Sequence, residues 1–180
     1  MLGVYIHIPF CKSICTYCDF CKVYYREEYV KKYLQALRNE INKRYHGELV
    51  ETIYIGGGTP SMLDEIDLTL LINTILEDLP HTPKEITLEA NPCDLTLDKL
   101  YCIKQTNINR LSIGIQSFND SLLTFMGRRH NSFQAMTAIT NAQNVGFENI
   151  SIDLIYGIPN QTFNEWKQDI EQALLLRPQH

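Results

Sequence analysis

Cys11, Cys15 and Cys18 stand in a C-x3-C-x2-C spacing on one short stretch of chain. Three thiolates on one loop can cap three irons of a [4Fe–4S] cube and leave the fourth iron open to a substrate or cofactor, whereas ferredoxins that only carry electrons usually supply four. Cys21 adds another x2 step. The four together also read as a closed four-thiolate zinc site or a fully ligated cluster, although closed zinc sites usually draw on two separated pairs. Cys93 and Cys102 lie outside any ligand spacing and are expected to pack as small hydrophobes or remain free thiols.

The run Gly56-Gly57-Gly58-Thr59-Pro60 lets a backbone approach a ligand closely, and its successive N–H groups can form an anion nest. It has neither the lysine of a P-loop nor the spacing of a dinucleotide fingerprint, so a purely structural turn is an equal reading. Polar residues recur where apolar segments end: Glu89 in LEANP, Gln116 in GIQSF, and Asp153 inside IDLIYG. Any one of these residues could be a capped or salt-bridged structural residue. Several in register with a cysteine loop and a glycine loop point to one shared pocket.

The elements that must position these groups alternate strand and helix. Short apolar segments read as strands at Gly3–Ile8, Thr52–Ile55, Glu85–Glu89, Leu111–Ile115 and Ile150–Ile155. Between them lie amphipathic patterns: Tyr29, Tyr33, Leu37 and Ile41 with Val30 and Leu34; Leu68 to Leu79, stopped by Pro80; Leu97, Leu100 and Ile103; a short helical stretch at 119–126; and Phe133 to Val145, followed by Gly146. A last helix is capped by Thr162 and Glu165 and presents Phe163, Trp166, Ile170, Ala173 and Leu174. Five β-then-α units predict an α/β fold with a parallel sheet, whose site lies at the C-terminal strand ends. Periodicity does not separate an open doubly wound sheet from a partial barrel.

Composition narrows the function classes. The chain has 180 residues, 44% hydrophobic and 21% charged, which suits a globular core and excludes a disordered or low-complexity chain. A net charge of -5 gives no overall basic surface for nucleic acid, which leaves only a local groove. No segment reaches the roughly 20 apolar residues of a membrane helix. The N-terminus lacks the basic region of a secretory signal, so the expected location is cytoplasmic. There, clustered cysteines bind metal or do redox chemistry more often than they form disulfides. Of the histidines, His7 and His130 are expected to be structural and His46 a solvated loop residue.

Taken together, YIHIPFC at 5–11, CTYCDF at 15–20, GGGTPS at 56–61, EANP at 89–92, GIQSFND at 114–120, GRRH at 127–130 and IDLIYGIP at 152–159 resemble the radical S-adenosylmethionine superfamily. Within it the chain resembles the oxygen-independent coproporphyrinogen III oxidase family. The resemblance implies a partial (β/α)6 barrel, here with about five βα units and the sixth strand missing. Residues 1–180 would be an incomplete radical SAM core domain, without that family's C-terminal domain. It implies a [4Fe–4S] cluster that binds S-adenosylmethionine at its open iron and splits its C–S bond, so that a 5′-deoxyadenosyl radical abstracts hydrogen. By motif, Cys11, Cys15 and Cys18 would be the cluster ligands. Tyr5, Tyr17, Gly57, Gly58, Thr59, Glu89, Gln116, Arg128 and Asp153 would contact the cofactor.

Two details of the resemblance favour that family's haem-chaperone branch, which passes haem to an acceptor protein, over the oxidase, which decarboxylates porphyrinogen propionates. The chain starts almost at its first strand, and Cys18 is followed by Asp19-Phe20, where the oxidase has a fourth cysteine two residues after the third. A non-catalytic metal-binding fragment is a third reading. The implied partners are haem or a porphyrinogen, a reductant for the cluster and a haem acceptor, with no nucleic acid and no transmembrane segment.

Overall fold

Strict alternation along each strand decides which face of the sheet meets the helices. In a computed structural model that describes residues 2–79 and 84–180, five parallel strands lie in the order β1 (Leu2–Ile8), β4 (Val50–Gly57), β5 (Glu85–Ala90), β6 (Arg110–Gln116) and β7 (Ile150–Leu154). Ile6, Ile8, Ile53, Ile55, Ile86, Leu88, Leu111, Ile113 and Ile150 are buried in one core with the helices. The opposite face is polar. Tyr5, Tyr54, Thr87 and Arg110 pair in turn across it, and Glu89 pairs with Ser112, which pairs with Ser151 on its other side. A doubly wound parallel sheet is apolar on both faces. A sheet with one polar face suits the wall of an open, partial barrel rather than a sheet covered by helices on both sides.

The helices are α1 (Glu27–Arg44), α2 (Glu65–Asp78), α3 (Leu97–Gln105), α4 (Asp120–Phe125), α5 (Ser132–Val145) and α6 (Phe163–Leu176). Their ends follow the sequence signals. Asn131 with Gln134 and Thr162 with Glu165 form capping boxes, and Gly146 closes α5 at φ 96°. Pro80, read as the stop of α2, and His81 lie outside the described residues. Among the described residues no helix is long and apolar enough to cross a membrane.

Three expectations require correction. The second strand runs on through Gly56 and Gly57, because β1 keeps pairing with it as far as Ile8 opposite Gly57. The buried face of α1 is Val30, Leu34 and Ile41, with Tyr29 left exposed. On α6, Asp169 is the buried residue, while Phe163 (79% exposed) and Leu174 (70% exposed) face solvent. A helix over the edge of a sheet has strand beneath only part of its apolar stripe. Among the described residues, the tail is what pairs beyond β7: His180 N–H donates to Ile150 O at 3.2 Å, and Ile152 N–H donates to His180 O at 2.9 Å.

Candidate functional site

The cysteine loop is pinned at both ends. Phe10–Cys11 (β2) pairs with Val23–Tyr24 (β3), closing the loop on itself. Its middle is tied to the end of α4: Thr16 N–H donates to Met126 O at 3.2 Å, and Thr16 Oγ1 to Phe125 O at 3.4 Å. His7 Nε2 holds the far end by donating to Cys21 O at 2.9 Å. Within this frame Cys11 is buried, and Cys15 and Cys18 are half-buried.

The glycine loop is stitched to the cysteine loop. Gly58 N–H donates to Ile8 O and Thr59 N–H to Phe10 O, both at 2.8 Å, and Thr59 Oγ1 lies 3.5 Å from Cys11 Sγ. Gly57 has φ 117°, and a Cβ there would meet the His7 ring at 2.5 Å. A Cβ on Gly58 would sit 2.6 Å from Phe10 O and 2.8 Å from Pro9 C. Those are backbone atoms of the cysteine loop, so the obstruction cannot swing away. Gly58→Ala is therefore expected to cost about 2–3 kcal/mol, as overpacking at a rigid site does. Urea unfolding measures it, and faster alkylation of the Cys11 thiol reports the loosened loop.

Strand ends and one loop supply the polar groups. Glu89 Oε1 accepts from Tyr54 OH and Oε2 from Gly57 N–H, both at 2.9 Å. Gln116 is almost fully buried at φ 71°, a left-handed residue at the irregularity where β6 slips against β7. Arg128 Nη2 donates to Gly114 O at 2.6 Å and Nη1 to Tyr17 OH at 3.3 Å, with Cys15 Sγ at 3.6 Å. Its Nε is buried and finds no partner among the described residues.

These groups surround one cavity of about 330 Å³. Cys11, Cys15, Cys18 and Tyr17 of the cysteine loop, Gly57, Gly58 and Thr59 of the glycine loop, and Glu89, Gln116, Arg128 and Asp153 all line it. Asp153 is an exposed residue at the end of β7. Its carboxyl is pushed above the ordinary range, first by the surrounding protein and then by the charge of Glu89, with Arg110 and Arg128 pulling the other way. Two carboxylates and a guanidinium with a spare donor suit a ligand that carries both a positive and a negative group. Burial also raises the Cys11 thiol, offset by the Thr59 hydroxyl.

Tyr5 and Cys21 stand apart from the cavity. Tyr5 is 56% exposed on the polar face near the edge of the sheet, stacked on Tyr54, and donates to His7 Nδ1 at 3.0 Å. Cys21 is exposed, beyond the stretch that lines the cavity. Among the described residues no three of His, Cys, Asp and Glu gather tightly enough for a single metal ion. A closed zinc site needs such convergence, whereas thiolates on separate irons of a cube do not share one point. Lys12, Lys22 and Arg129 also line the cavity without having been singled out in the sequence. Tyr54 acts on it from two residues before Gly56, and strand alternation would have placed it on the polar face. Burial and the charge of Glu89 push its phenol up to about 12.

His130 shows what the GRRH segment does for the fold. Its ring is buried, and Nε2 donates to Ile115 O at 3.0 Å. Burial, followed by the nearby charge of Arg128, lowers it to about 4 from an ordinary 6.5. The folded state therefore keeps this ring neutral where the unfolded chain would protonate it. Its contribution is complete above pH 6.5 and is lost as pH falls toward 4, about 3 kcal/mol over that window. Urea midpoints measured across that range should fall more steeply than those of His130→Gln.

Comparison with known proteins agrees with this geometry. A model of the Radical SAM superfamily matches residues 5–173. The heme chaperone HemW of Bacillus subtilis (strain 168) is 43% identical over 186 residues, covering 100% of this chain and 49% of that protein. The oxygen-independent coproporphyrinogen III oxidase of Salmonella typhimurium is 32% identical, covering 98% of this chain and 40% of that protein. The solved structure of coproporphyrinogen III oxidase from Escherichia coli, a radical SAM enzyme, superposes with a TM-score of 0.90 at 31% identity, over 98% of this chain and 42% of that one. The chain thus spans about half or less of the length of these relatives. With one cavity walled by three loop cysteines, a glycine loop and polar strand ends, and with a family match from Tyr5 to Ala173, the chain belongs to the radical SAM superfamily.

Proposed function

We propose that residues 1–180 are the radical SAM core of a haem chaperone of the HemW kind, which binds a [4Fe–4S] cluster and S-adenosylmethionine and passes haem to an acceptor protein. The observation that carries the cofactor half is the placement of Cys11, Cys15 and Cys18 on the wall of a cavity that also holds Arg128, Glu89 and Asp153. Cys11, Cys15 and Cys18 would each hold one iron. The unpartnered Arg128 Nε and the Gly57–Thr59 backbone would receive the carboxylate and amino ends of the cofactor. Glu89 and Asp153 suit its positive charge, and Gln116 and Asp153 its ribose hydroxyls. When bound, the pair supplies a one-electron cleavage of the cofactor's C–S bond. The chain's own residues orient the cofactor and keep water from it.

Greater identity to heme chaperones than to the oxidase favours the chaperone. The near-identical backbone of the solved oxidase supports radical decarboxylation of a porphyrinogen as the second reading. Anaerobic reconstitution with iron and sulfide, followed by EPR with and without S-adenosylmethionine, tests the shared part. A [4Fe–4S] signal that the cofactor alters is expected, and no signal would sink it. Haem titration at the Soret band beside a coproporphyrinogen assay then separates the two. Haem binding without turnover supports the chaperone, and turnover supports the oxidase.

A further inference from the structure

Three loops that line the cavity meet at one carboxylate outside it. Asp94 ends the short 3-10 turn Pro92–Asp94 that follows β5, and its side chain is 6% exposed. Arg129 Nη2 donates to both of its oxygens at 3.1 Å. Ser61 Oγ donates to Oδ2 at 3.3 Å and accepts Asn91 N–H at 3.0 Å. Lys12 Nζ lies 3.9 Å from Oδ1. Each partner is the close neighbour of a cavity residue: Arg129 follows Arg128, Ser61 stands two residues past Thr59, and Lys12 follows Cys11.

The turn itself does not need this carboxylate, because Asn91 Oδ1 caps it by accepting Cys93 N–H at 3.3 Å. What the carboxylate does is pair with Arg129, the chain neighbour of Arg128, and bond to Ser61 beyond the glycine loop at the same time. The Arg129 contacts are bidentate at 3.1 Å and the Ser61 bond is longer at 3.3 Å, while Lys12 lies 3.9 Å away and half-exposed, so Asp94 holds the cysteine loop most loosely of the three.

We propose that Asp94 is the positioning residue of the site: it fixes Arg128 relative to the glycine loop before any ligand arrives. The proposal rests on the cofactor reading above only for what the fixed geometry is used for. Asp94→Asn removes the charge at constant shape. In the cluster-free chain, amide hydrogen exchange should then quicken about tenfold both at 58–62 and at 127–131, the scale of one charge-assisted hydrogen bond. Arg129→Met should quicken only the second segment. After reconstitution, Asp94→Asn should keep its iron yet bind S-adenosylmethionine about tenfold more weakly, and Asp94→Glu should recover much of that loss.

Exchange that rises at 127–131 alone would overturn the coupling. So would a lowered melting temperature with both loops and cofactor affinity unchanged, which is the mark of a merely structural carboxylate. Should the wild-type chain take up no cluster, the cofactor reading fails, while the exchange pattern still decides whether Asp94 couples the loops.

Discussion

Replacing Cys11, Cys15 or Cys18 by Ala is expected to abolish the reconstituted [4Fe–4S] signal, whereas Cys21→Ala should leave it intact. The reason is position rather than spacing. The first three cysteines line the cavity, on a loop held at β2 and β3 and tied to α4. Cys21 is exposed past that stretch, and it is its carbonyl that is engaged, by His7. A cube has four irons, so losing one of three thiolates leaves two irons without a protein ligand, and bound iron should fall from about four per chain to well below one. Thiolates are the ligands, and burial raises the Cys11 thiol. Loading must therefore release protons and should improve as pH rises from 7 to 9. Iron and acid-labile sulfide assays with EPR measure this. Loss of metal in Cys21→Ala would instead restore the closed four-cysteine centre.

What the sequence made legible, and what it did not, follows from the range of the forces involved. Strand and helix order, the cap at Thr162, the glycine after α5 and the spacing of three loop cysteines are local signals read within a few residues, and the structure has those strands and helices in that order with the cap and the glycine in place. Long-range arrangements left no such mark. Tyr54 reaches Glu89 across the sheet, Thr16 reaches Met126, and Asp94 gathers Lys12, Ser61 and Arg129 from three loops. Each of these looks like an ordinary polar residue until the fold brings its partner near. The bare stripe of α6 misleads for the opposite reason. Phe163, Ile170 and Leu174 carry a correct helical period, but a period says which residues share a face, not whether anything lies under it. Likewise the choice between barrel and open sheet depended on one face being polar, which became visible only once register placed Tyr54 beside Thr87 and Glu89 beside Ser112.

Arg128→Met is expected to weaken S-adenosylmethionine binding about 100-fold or more while the chain keeps its iron. That is the scale of truncating one partner of a buried charged hydrogen bond. The geometry explains why one side chain should matter so much. Arg128 is already oriented by Gly114 O and Tyr17 OH, so its free Nε costs no ordering when an anionic group binds. It is also a positive charge set against Glu89 and Asp153, and its loss should raise the Asp153 carboxyl further, because Arg128 is one of the two groups that lower it. Arg128→Lys should rescue little, since a lysine has no planar fork to hold Gly114 O and a ligand at once. A structural role is separated from a binding role by decarboxylated S-adenosylmethionine. If Arg128 pairs with the ligand's carboxylate, wild type should bind this analogue weakly and Arg128→Met no more weakly still. If both proteins instead lose affinity in parallel for both ligands, Arg128 acts by shaping the cavity, and the pairing with the carboxylate is wrong.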